Sequence, residues 1–283
     1  MLKIAIQAKG RLSEESIQLL REAGINFAES KSKLLARSED FPIEILYLRD
    51  DDIPHAVAMG VADLGIVGLN EVEEKRQQVE VLRKLGFGKC RLSLAIPNSE
   101  EYAAPAWFNG KKIATSYPRI LTDYFERRGI KADIHEIAGS VEIAPSVGMS
   151  DAIFDIVSSG GTLLSNGLKE VEKVFFSETV IIANPKSAKE KQEIINQLLF
   201  RIESVESSRG KKYVMLNVPI EKVDEVTKLI PGMKSPTILP LAQEGWCSIH
   251  AVISEKELWT KIEQLKKLGA EDILVLALEK MIV

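Results

Sequence analysis

A run of glycine and hydroxyl residues between two apolar stretches is the part of the sequence best suited to chemistry. It lies within DIVSSGGTLLSNGL, residues 155–168. Its hydroxyl side chains are those of Ser158, Ser159 and Thr162. Gly160 and Gly161 permit close approach to the backbone, and the free N–H groups at the start of a following helix attract an anion. The pattern therefore predicts a phosphate-binding loop.

An acidic residue, Asp155, stands shortly before this loop, near the end of the apolar run AIFDIV. A carboxylate repels a phosphate, but it accepts hydrogen bonds from the neighbouring hydroxyls of a sugar. Acid and loop together indicate a sugar phosphate as the ligand. Taken alone, the loop is equally compatible with an ordinary Ser/Gly surface turn.

The composition excludes several classes of protein. Lys and Arg number 37 against 41 Asp and Glu, a formal net charge of -4, so no general basic field is available for nucleic acid. Cys90 and Cys247 lie far apart and form no metal-type cluster with the 3 histidines, so we expect free thiols. Neither a long apolar run nor a signal sequence is evident. We therefore expect a soluble cytoplasmic protein that binds neither membrane nor nucleic acid.

Strands and helices alternate along roughly the first two thirds of the chain, which is typical of parallel α/β sheets. The predicted strands include KIAIQA, IEILYLR and DLGIVG. Two more, RLSLAIPN and ETVIIANP, bracket an inner block, so the chain would pass twice between two α/β lobes that form a cleft. We expect one lobe from residues 1–92 and 178–208, and a second lobe, which holds the loop, from 93–177.

The pattern changes after the segment SSRGKK. Strand, helix, strand, strand, helix and strand follow in turn, from KYVMLNVPI to a final strand in EDILVLALEKMIV. This βαββαβ order is typical of the ferredoxin-like fold. We expect a separate domain over residues 211–283, and the fold alone does not decide whether it senses a small molecule or drives assembly.

Several segments spread over nearly the whole chain resemble one enzyme family. They are KGRL, VADLGIVGLNEV, LGFGKCRLSLAIP, KIATSYP, GSVEIAPSVGMSDAIFDIVSSGGTLLSNGLKEVE and KSPTILPL. The set resembles the long form of ATP phosphoribosyltransferase. The resemblance implies a two-lobed catalytic unit like that of periplasmic binding proteins, followed by a ferredoxin-like regulatory domain. It also implies transfer of the phosphoribosyl group of phosphoribosyl pyrophosphate (PRPP) to N1 of the adenine of ATP, with release of pyrophosphate, as the first step of histidine biosynthesis.

The resemblance assigns roles in PRPP binding. Glu142 and Asp155 would accept hydrogen bonds from the ribose hydroxyls. The 5′-phosphate would bind to Ser158, Ser159, Gly160, Gly161 and Thr162. Mg²⁺ is expected on the pyrophosphate oxygens, where it keeps several waters and needs few protein ligands. No protein ligand of the metal and no catalytic base is assigned.

The remaining phosphate charge requires cations. Lys9 and Arg11 in KGRL and Arg49 after IEILYL each follow a predicted strand, and strand C-terminal ends line the cleft of open α/β sheets. We assign these three residues to pyrophosphate and the nucleotide phosphates. Asp63 in VADLGIVG is left with two interpretations, namely positioning of substrate or capping of the strand that follows it.

By resemblance, histidine inhibits the enzyme by binding near KSPTILPL, where Ser235 and Thr237 could hydrogen-bond it, in a homo-oligomer that ranges from dimer to hexamer. A two-lobed binding or sensor protein without catalysis is the competing class. A different phosphoribosyltransferase would share the loop but would have no reason for the C-terminal domain. Pyrophosphate release on mixing with ATP and PRPP would separate an enzyme from a binding protein.

Overall fold

The computed structural model describes residues 1–27 and 34–283. The chain divides into two compact units, Met1–Arg21 with Ile25–Asn196, and Glu22–Gly24 with Gln197–Val283. Two β-sheets belong to the first unit and one belongs to the second. The domain boundaries expected from the sequence stay predictions.

The strands, numbered in chain order, are β1 Leu2–Gln7, β2 Leu35–Arg37, β3 Ile43–Leu48, β4 Leu64–Gly68, β5 Glu80–Lys84, β6 Cys90–Pro97, β7 Lys112–Thr115, β8 Asp133–Glu136, β9 Ala152–Val157, β10 Leu168–Ser177, β11 Thr179–Ala183, β12 Lys211–Pro219, β13 Thr237–Pro240, β14 Trp246–Ser254 and β15 Glu271–Ala277. The α-helices are α1 Arg11–Glu22, α2 Ile53–Ala58, α3 Leu69–Lys75, α4 Pro118–Glu126, α5 Gly161–Ser165, α6 Pro185–Glu190, α7 Gln192–Ser208, α8 Val223–Leu229 and α9 Glu255–Lys267.

The first lobe is built on a six-stranded sheet with the order β2-β3-β1-β4-β11-β5 and carries α1, α2 and α3. Strand β1 pairs in parallel with β3 and β4, whereas β11 runs antiparallel to β4 and β5. Every residue of β4 is buried, as expected for a central strand covered on both faces. Because β1, β3 and β4 are parallel, their C-terminal ends meet at one edge of the sheet.

The second lobe is built on a five-stranded sheet with the order β10-β6-β9-β7-β8 and carries α4 and α5. Its core includes the fully buried rings of Phe108 and Phe154. Strand β6 runs antiparallel to β9 and β10, and β7 runs parallel to β8 and β9. The chain enters this sheet between β5 and β6 and leaves it between β10 and β11. The two predicted passages between lobes are therefore confirmed.

A polar joint connects helix α3 of the first lobe to helix α4 of the second. The Glu74 side chain is 5% exposed and accepts hydrogen bonds from the backbone N–H groups of Arg119 and Ile120, both at 3.0 Å. The Arg119 guanidinium in turn donates to the carbonyls of Glu74 and Lys75, at 3.3 and 3.1 Å. Each helix thus satisfies free backbone groups at the end of the other. The negative Glu74 lies at the positive N-terminal end of α4, and the positive Arg119 lies at the negative C-terminal end of α3.

The second unit contains the predicted βαββαβ order, formed by β12, α8, β13, β14, α9 and β15. Its sheet has the order β13-β14-β12-β15 and is antiparallel throughout. The Ser254 hydroxyl caps α9 by accepting a hydrogen bond from the N–H of Glu257 at 3.2 Å. The final strand is shorter than the predicted segment. It ends at Ala277, and the N–H of Met281 donates instead to the carbonyl of Ser204 at 2.8 Å.

The joint between α3 and α4 yields a prediction about stability. Gln at position 74 keeps one acceptor oxygen, but its amide nitrogen cannot accept from the second N–H group of α4. We expect Glu74→Gln to lower the free energy of unfolding by about 2 kcal/mol, the range of a hydrogen bond to a charged group. Urea denaturation measures this, with Glu73→Gln on the exposed face of α3 as the control. Equal transitions for the two variants would contradict the prediction.

Candidate active site

The predicted phosphate loop lies between a strand and a helix, as expected. Strand β9 ends at Val157 and α5 begins at Gly161. Gly160 has φ +85°, a conformation that favours glycine, whereas a Cβ added to Gly161 would meet nothing closer than the Ser159 Oγ atom at 3.8 Å. Helix α5 has only 5 residues, so any attraction for an anion comes from the free N–H groups of its first turn rather than from a long helix dipole.

The two predicted ribose acids lie close together in the second lobe. Asp155 is on β9, and Glu142 is on a single 3-10 turn, Val141–Ile143. Burial raises the pKa of Asp155 to about 6, against the lowering effect of the hydrogen bond from the Ile156 N–H at 2.8 Å; the negative charge of Glu142 adds a smaller raising effect. The free protein therefore holds two carboxyl groups that repel each other beside the hydroxyl loop.

The predicted cations lie at the strand-end edge of the first lobe. Lys9 follows β1 and Arg49 follows β3, its parallel neighbour, and Arg11 begins α1. The Arg11 side chain is 83% exposed and donates from Nε to Glu15 at 2.6 Å. The Arg49 side chain is 77% exposed and donates from Nε to Asp51 at 3.2 Å. Exposed ion pairs of this kind contribute only about 0–1 kcal/mol, so a phosphate could compete for both guanidinium groups.

Asp63 occupies the opposite edge of that sheet, just before β4 begins. Its carboxylate accepts hydrogen bonds from the N–H of Lys3 at 2.8 Å, the hydroxyl of Ser187 at 2.7 Å and the Lys191 Nζ atom at 2.7 Å. Burial raises the pKa of Asp63, but the bonds from Lys191, Lys3 and Ser187 outweigh it and leave the pKa below its ordinary value. Of the two interpretations, these contacts favour capping at the strand start.

A buried polar cluster that the sequence did not suggest connects the two lobes. Asn70 and Glu71 begin α3, Tyr117 precedes α4, and Ser177 ends β10. The Tyr117 hydroxyl donates to Glu71 Oε1 at 2.9 Å and accepts from Asn70 Nδ2 at 3.2 Å. The Ser177 hydroxyl donates to Asn70 Oδ1 at 2.7 Å. The only local signal was that these residues lie at the ends of regular elements or next to them.

The cluster lies within electrostatic range of both halves of the site. Burial raises the pKa of Glu71 to about 7, against the lowering effect of the hydrogen bond from Tyr117. Asp50 and Asp51 at the strand-end edge add smaller raising effects, and Lys75 adds a small lowering one. Burial, Glu71 and, more weakly, Asp155 raise the pKa of Tyr117 well above its usual range. Asp50 of the first lobe thus raises the pKa of Glu71, and Asp155 of the second lobe raises the pKa of Tyr117, the hydrogen-bond partner of Glu71.

The predicted effector residues lie in the second unit. Thr237 begins β13 and stands opposite His250 of β14, and Ser235 precedes the strand. Both are exposed. The His250 ring lies 3.0 Å from the Tyr213 hydroxyl at Nδ1 and 3.1 Å from the Ser248 hydroxyl at Nε2. Because directly opposed residues share a face of the sheet, Thr237 lies on the same face as this polar row.

None of the helices within residues 1–27 and 34–283 is long and apolar enough to cross a membrane. Among the same residues no group of three or more His, Cys, Asp or Glu side chains could hold a metal ion. Cys90, half-buried, and Cys247, buried, are free thiols, as predicted.

Comparison with known proteins agrees with this fold. The ATP phosphoribosyltransferase family model matches residues 49–204, and the model of the HisG C-terminal domain matches residues 208–280. An ATP phosphoribosyltransferase of Phocaeicola vulgatus is 60% identical over 282 residues and covers 100% of both chains. One from Cytophaga hutchinsonii is 53% identical and covers 100% of this chain and 99% of its own.

A solved structure gives the same result. A chain of the ATP phosphoribosyl transferase (HisG:HisZ) complex from Thermotoga maritima superposes with a TM-score of 0.62 at 33% identity, covering 72% of this chain and 99% of its own. The chain belongs to the ATP phosphoribosyltransferase family, in the long form that carries the C-terminal domain. It is therefore a pentosyltransferase of the first step of histidine biosynthesis.

The acid pair yields a second prediction about stability. Because the folded protein raises the pKa of Asp155, ionised Asp155 destabilises the fold as the pH rises from about 4 to above 6. We expect Asp155→Asn to increase the free energy of unfolding by about 1–3 kcal/mol at pH 8, and the gain to shrink towards pH 4. Chemical denaturation at both pH values measures it, with exposed Asp133→Asn as the control. A variant less stable than the wild type at pH 8 would contradict the prediction.

Proposed function

We propose that the protein transfers the 5-phosphoribosyl group of PRPP to N1 of the adenine of ATP and releases pyrophosphate. The observation that carries this proposal is the meeting of two carboxyl groups, Glu142 and Asp155, beside a glycine and hydroxyl loop at one end of β9. The acids suit the ribose hydroxyls and the loop suits the 5′-phosphate, so the pair matches a ribose 5-phosphate better than either free phosphate or free sugar.

The charged parts of the two substrates would lie against the first lobe. Lys9, Arg11 and Arg49 sit at the ends of neighbouring parallel strands, the usual position of ligand contacts in open α/β sheets. We assign them to the pyrophosphate of PRPP and the phosphates of ATP. The exposure of Arg11 and Arg49, and the weakness of their present ion pairs, support exchange of a carboxylate partner for a phosphate.

The reaction then requires electrostatic stabilisation more than a protein nucleophile. The bond from the ribose anomeric carbon to pyrophosphate breaks, pyrophosphate keeps the electron pair, and adenine N1 forms the new bond to that carbon. Positive charge develops on the ribose during this exchange, and the Glu142 and Asp155 carboxylates are placed to stabilise it. Mg²⁺, when bound to the pyrophosphate oxygens, would neutralise the charge of the leaving group. Such a metal uses few protein ligands.

Regulation and assembly complete the proposal. We infer that free histidine binds the exposed sheet face around Ser235 and Thr237 and inhibits the enzyme, and that the enzyme works in the cytoplasm as a homo-oligomer of two to six subunits. The exposed hydroxyl of Thr237 beside the Ser248–His250–Tyr213 row supports a polar effector site. The competing function, a binding or sensor protein without catalysis, predicts no pyrophosphate release from ATP and PRPP.

The acid pair tests the substrate assignment. We expect Asp155→Asn and Glu142→Gln each to lower kcat/KM for PRPP by about tenfold to a hundredfold, since each loses a charged hydrogen bond worth about 1.5–3 kcal/mol. In the wild type, kcat/KM for PRPP should fall below about pH 6 as Asp155 becomes protonated, and Asp155→Asn should remove this dependence. Steady-state pyrophosphate release measures both effects, with Asp133→Asn as the control. Near-normal PRPP dependence in both variants would refute the ribose assignment.

The effector assignment has its own test. We expect Thr237→Ala to raise the histidine concentration needed for half inhibition by about fivefold, because one hydrogen bond contributes about 1 kcal/mol, and to leave kcat unchanged. Thr260→Ala, on the exposed side of α9, is the control. Failure of millimolar histidine to inhibit the wild type would show that the C-terminal domain serves assembly alone.

A further inference from the structure

An ion pair in the second lobe also makes a hydrogen bond to the phosphate loop. Arg91, near the start of β6, makes a two-point contact with Glu170 of β10, from Nε to Oε1 at 2.5 Å and from Nη2 to Oε2 at 2.6 Å. Its third donor, Nη1, lies 3.1 Å from the carbonyl oxygen of Ser158, the first residue of the loop. One guanidinium group thus joins two strands and the loop.

The strand register directs this side chain towards the proposed ribose site. In the antiparallel β6–β9 ladder, Arg91 stands opposite Val157 and Ser93 stands opposite Asp155. Opposed residues share a face, and so do residues two apart on a strand, so Arg91, Ser93 and Asp155 all leave the sheet on one side. The buried Ser93 hydroxyl donates to Glu170 Oε1 at 2.6 Å. Glu170 is therefore held by two residues of β6.

The chemistry of the pair favours a fixed geometry. The Arg91 and Glu170 side chains are only 23% and 20% exposed. Arg91 holds the pKa of Glu170 below its ordinary value, first through the hydrogen bonds and against a smaller effect of burial, so Glu170 stays ionised. A planar guanidinium bound at two points cannot rotate, and its remaining N–H groups keep one direction. That direction is the Ser158 carbonyl.

We propose that Arg91 is a positioning residue for the phosphate loop. By binding the carbonyl of the first loop residue, it fixes the course of the backbone into Gly160 and α5, and hence the directions of the N–H and hydroxyl donors that follow. Glu170 acts through Arg91. The inference rests on the proposed function, in which this loop binds the 5′-phosphate of PRPP. The hydrogen bond from Arg91 to the Ser158 carbonyl, here called the tether, is a property of the free protein.

The consequence is a selective effect on one substrate. A loop that is not held must be ordered when PRPP binds, and that entropy weakens PRPP binding without changing the reacting atoms. We expect Arg91→Met to raise the KM for PRPP by about tenfold and to leave kcat and the KM for ATP near the wild-type values. Glu170→Gln, which loosens the guanidinium but keeps it, should have a smaller effect in the same direction. Arg91→Lys should fall between Met and the wild type, since an ammonium group makes no two-point contact.

The test combines kinetics with amide hydrogen exchange of residues 158–162 in the free protein. Arg37→Met is the matched control, because Arg37 forms an ion pair with Glu44 at 2.8 Å in the first lobe, remote in sequence from the loop. Thermal unfolding identifies any variant that fails to fold, in which case Glu170→Gln and Arg91→Lys decide the result. Faster exchange in the loop of Arg91→Met and Glu170→Gln, but not of Arg37→Met, together with a raised KM for PRPP, is the expected result.

Other outcomes separate the possible errors. Unchanged exchange in the loop overturns the tether, and if the KM for PRPP nevertheless rises, Arg91 contacts the substrate itself. Faster exchange with an unchanged KM for PRPP supports the tether but overturns the assignment of the 5′-phosphate to this loop. A raised KM for both substrates with a lowered kcat means that Arg91 maintains the second lobe in general, and the positioning role is then wrong.

Discussion

The contact between the two lobes depends on reciprocal hydrogen bonds between charged side chains and the ends of two helices, α3 and α4. The Glu74 carboxylate satisfies the first N–H groups of α4, and Arg119 satisfies the last carbonyls of α3. This contact sets the first lobe, which carries the exposed cations, against the second lobe, which carries the acids and the hydroxyl loop. Arg76 and Asp123, 2.6 Å apart, extend it by one further charge pair.

The Glu74–Arg119 joint and the cluster of Asn70, Glu71, Tyr117 and Ser177 together form the seam between the lobes. Acids of both lobes affect the same buried hydroxyl in this seam. Glu71 from the first lobe and, more weakly, Asp155 from the second both raise the pKa of the Tyr117 hydroxyl. The second lobe holds its loop by a separate device, the Arg91–Glu170 pair, which shares no residue with the seam.

The sequence could predict what is local. The strand-then-helix pattern placed Lys9, Arg11 and Arg49 at strand ends, and the glycine and hydroxyl run placed the loop between β9 and α5. Glu71 and Glu74 were missed because NEVEEKR is typical of a solvated helix face, and their burial is decided by α4, more than 40 residues later. Glu170 was missed because LKEVEKVFFS alternates charge without a clear apolar face, and its partner Arg91 lies 79 residues away.

The composition of the seam has a thermodynamic consequence for movement between the lobes. Its buried members on α3 are Asn70, Glu71 and Glu74, so separation of α3 from α4 would bring carboxylates, an amide and peptide groups into water together with the Tyr117 ring. Hydration of polar surface lowers the heat capacity slightly, whereas hydration of apolar surface raises it strongly. For a given area of exposed surface, opening of this cleft should therefore show a smaller heat-capacity increase than unfolding does. Its equilibrium should respond to salt and pH far more than to temperature.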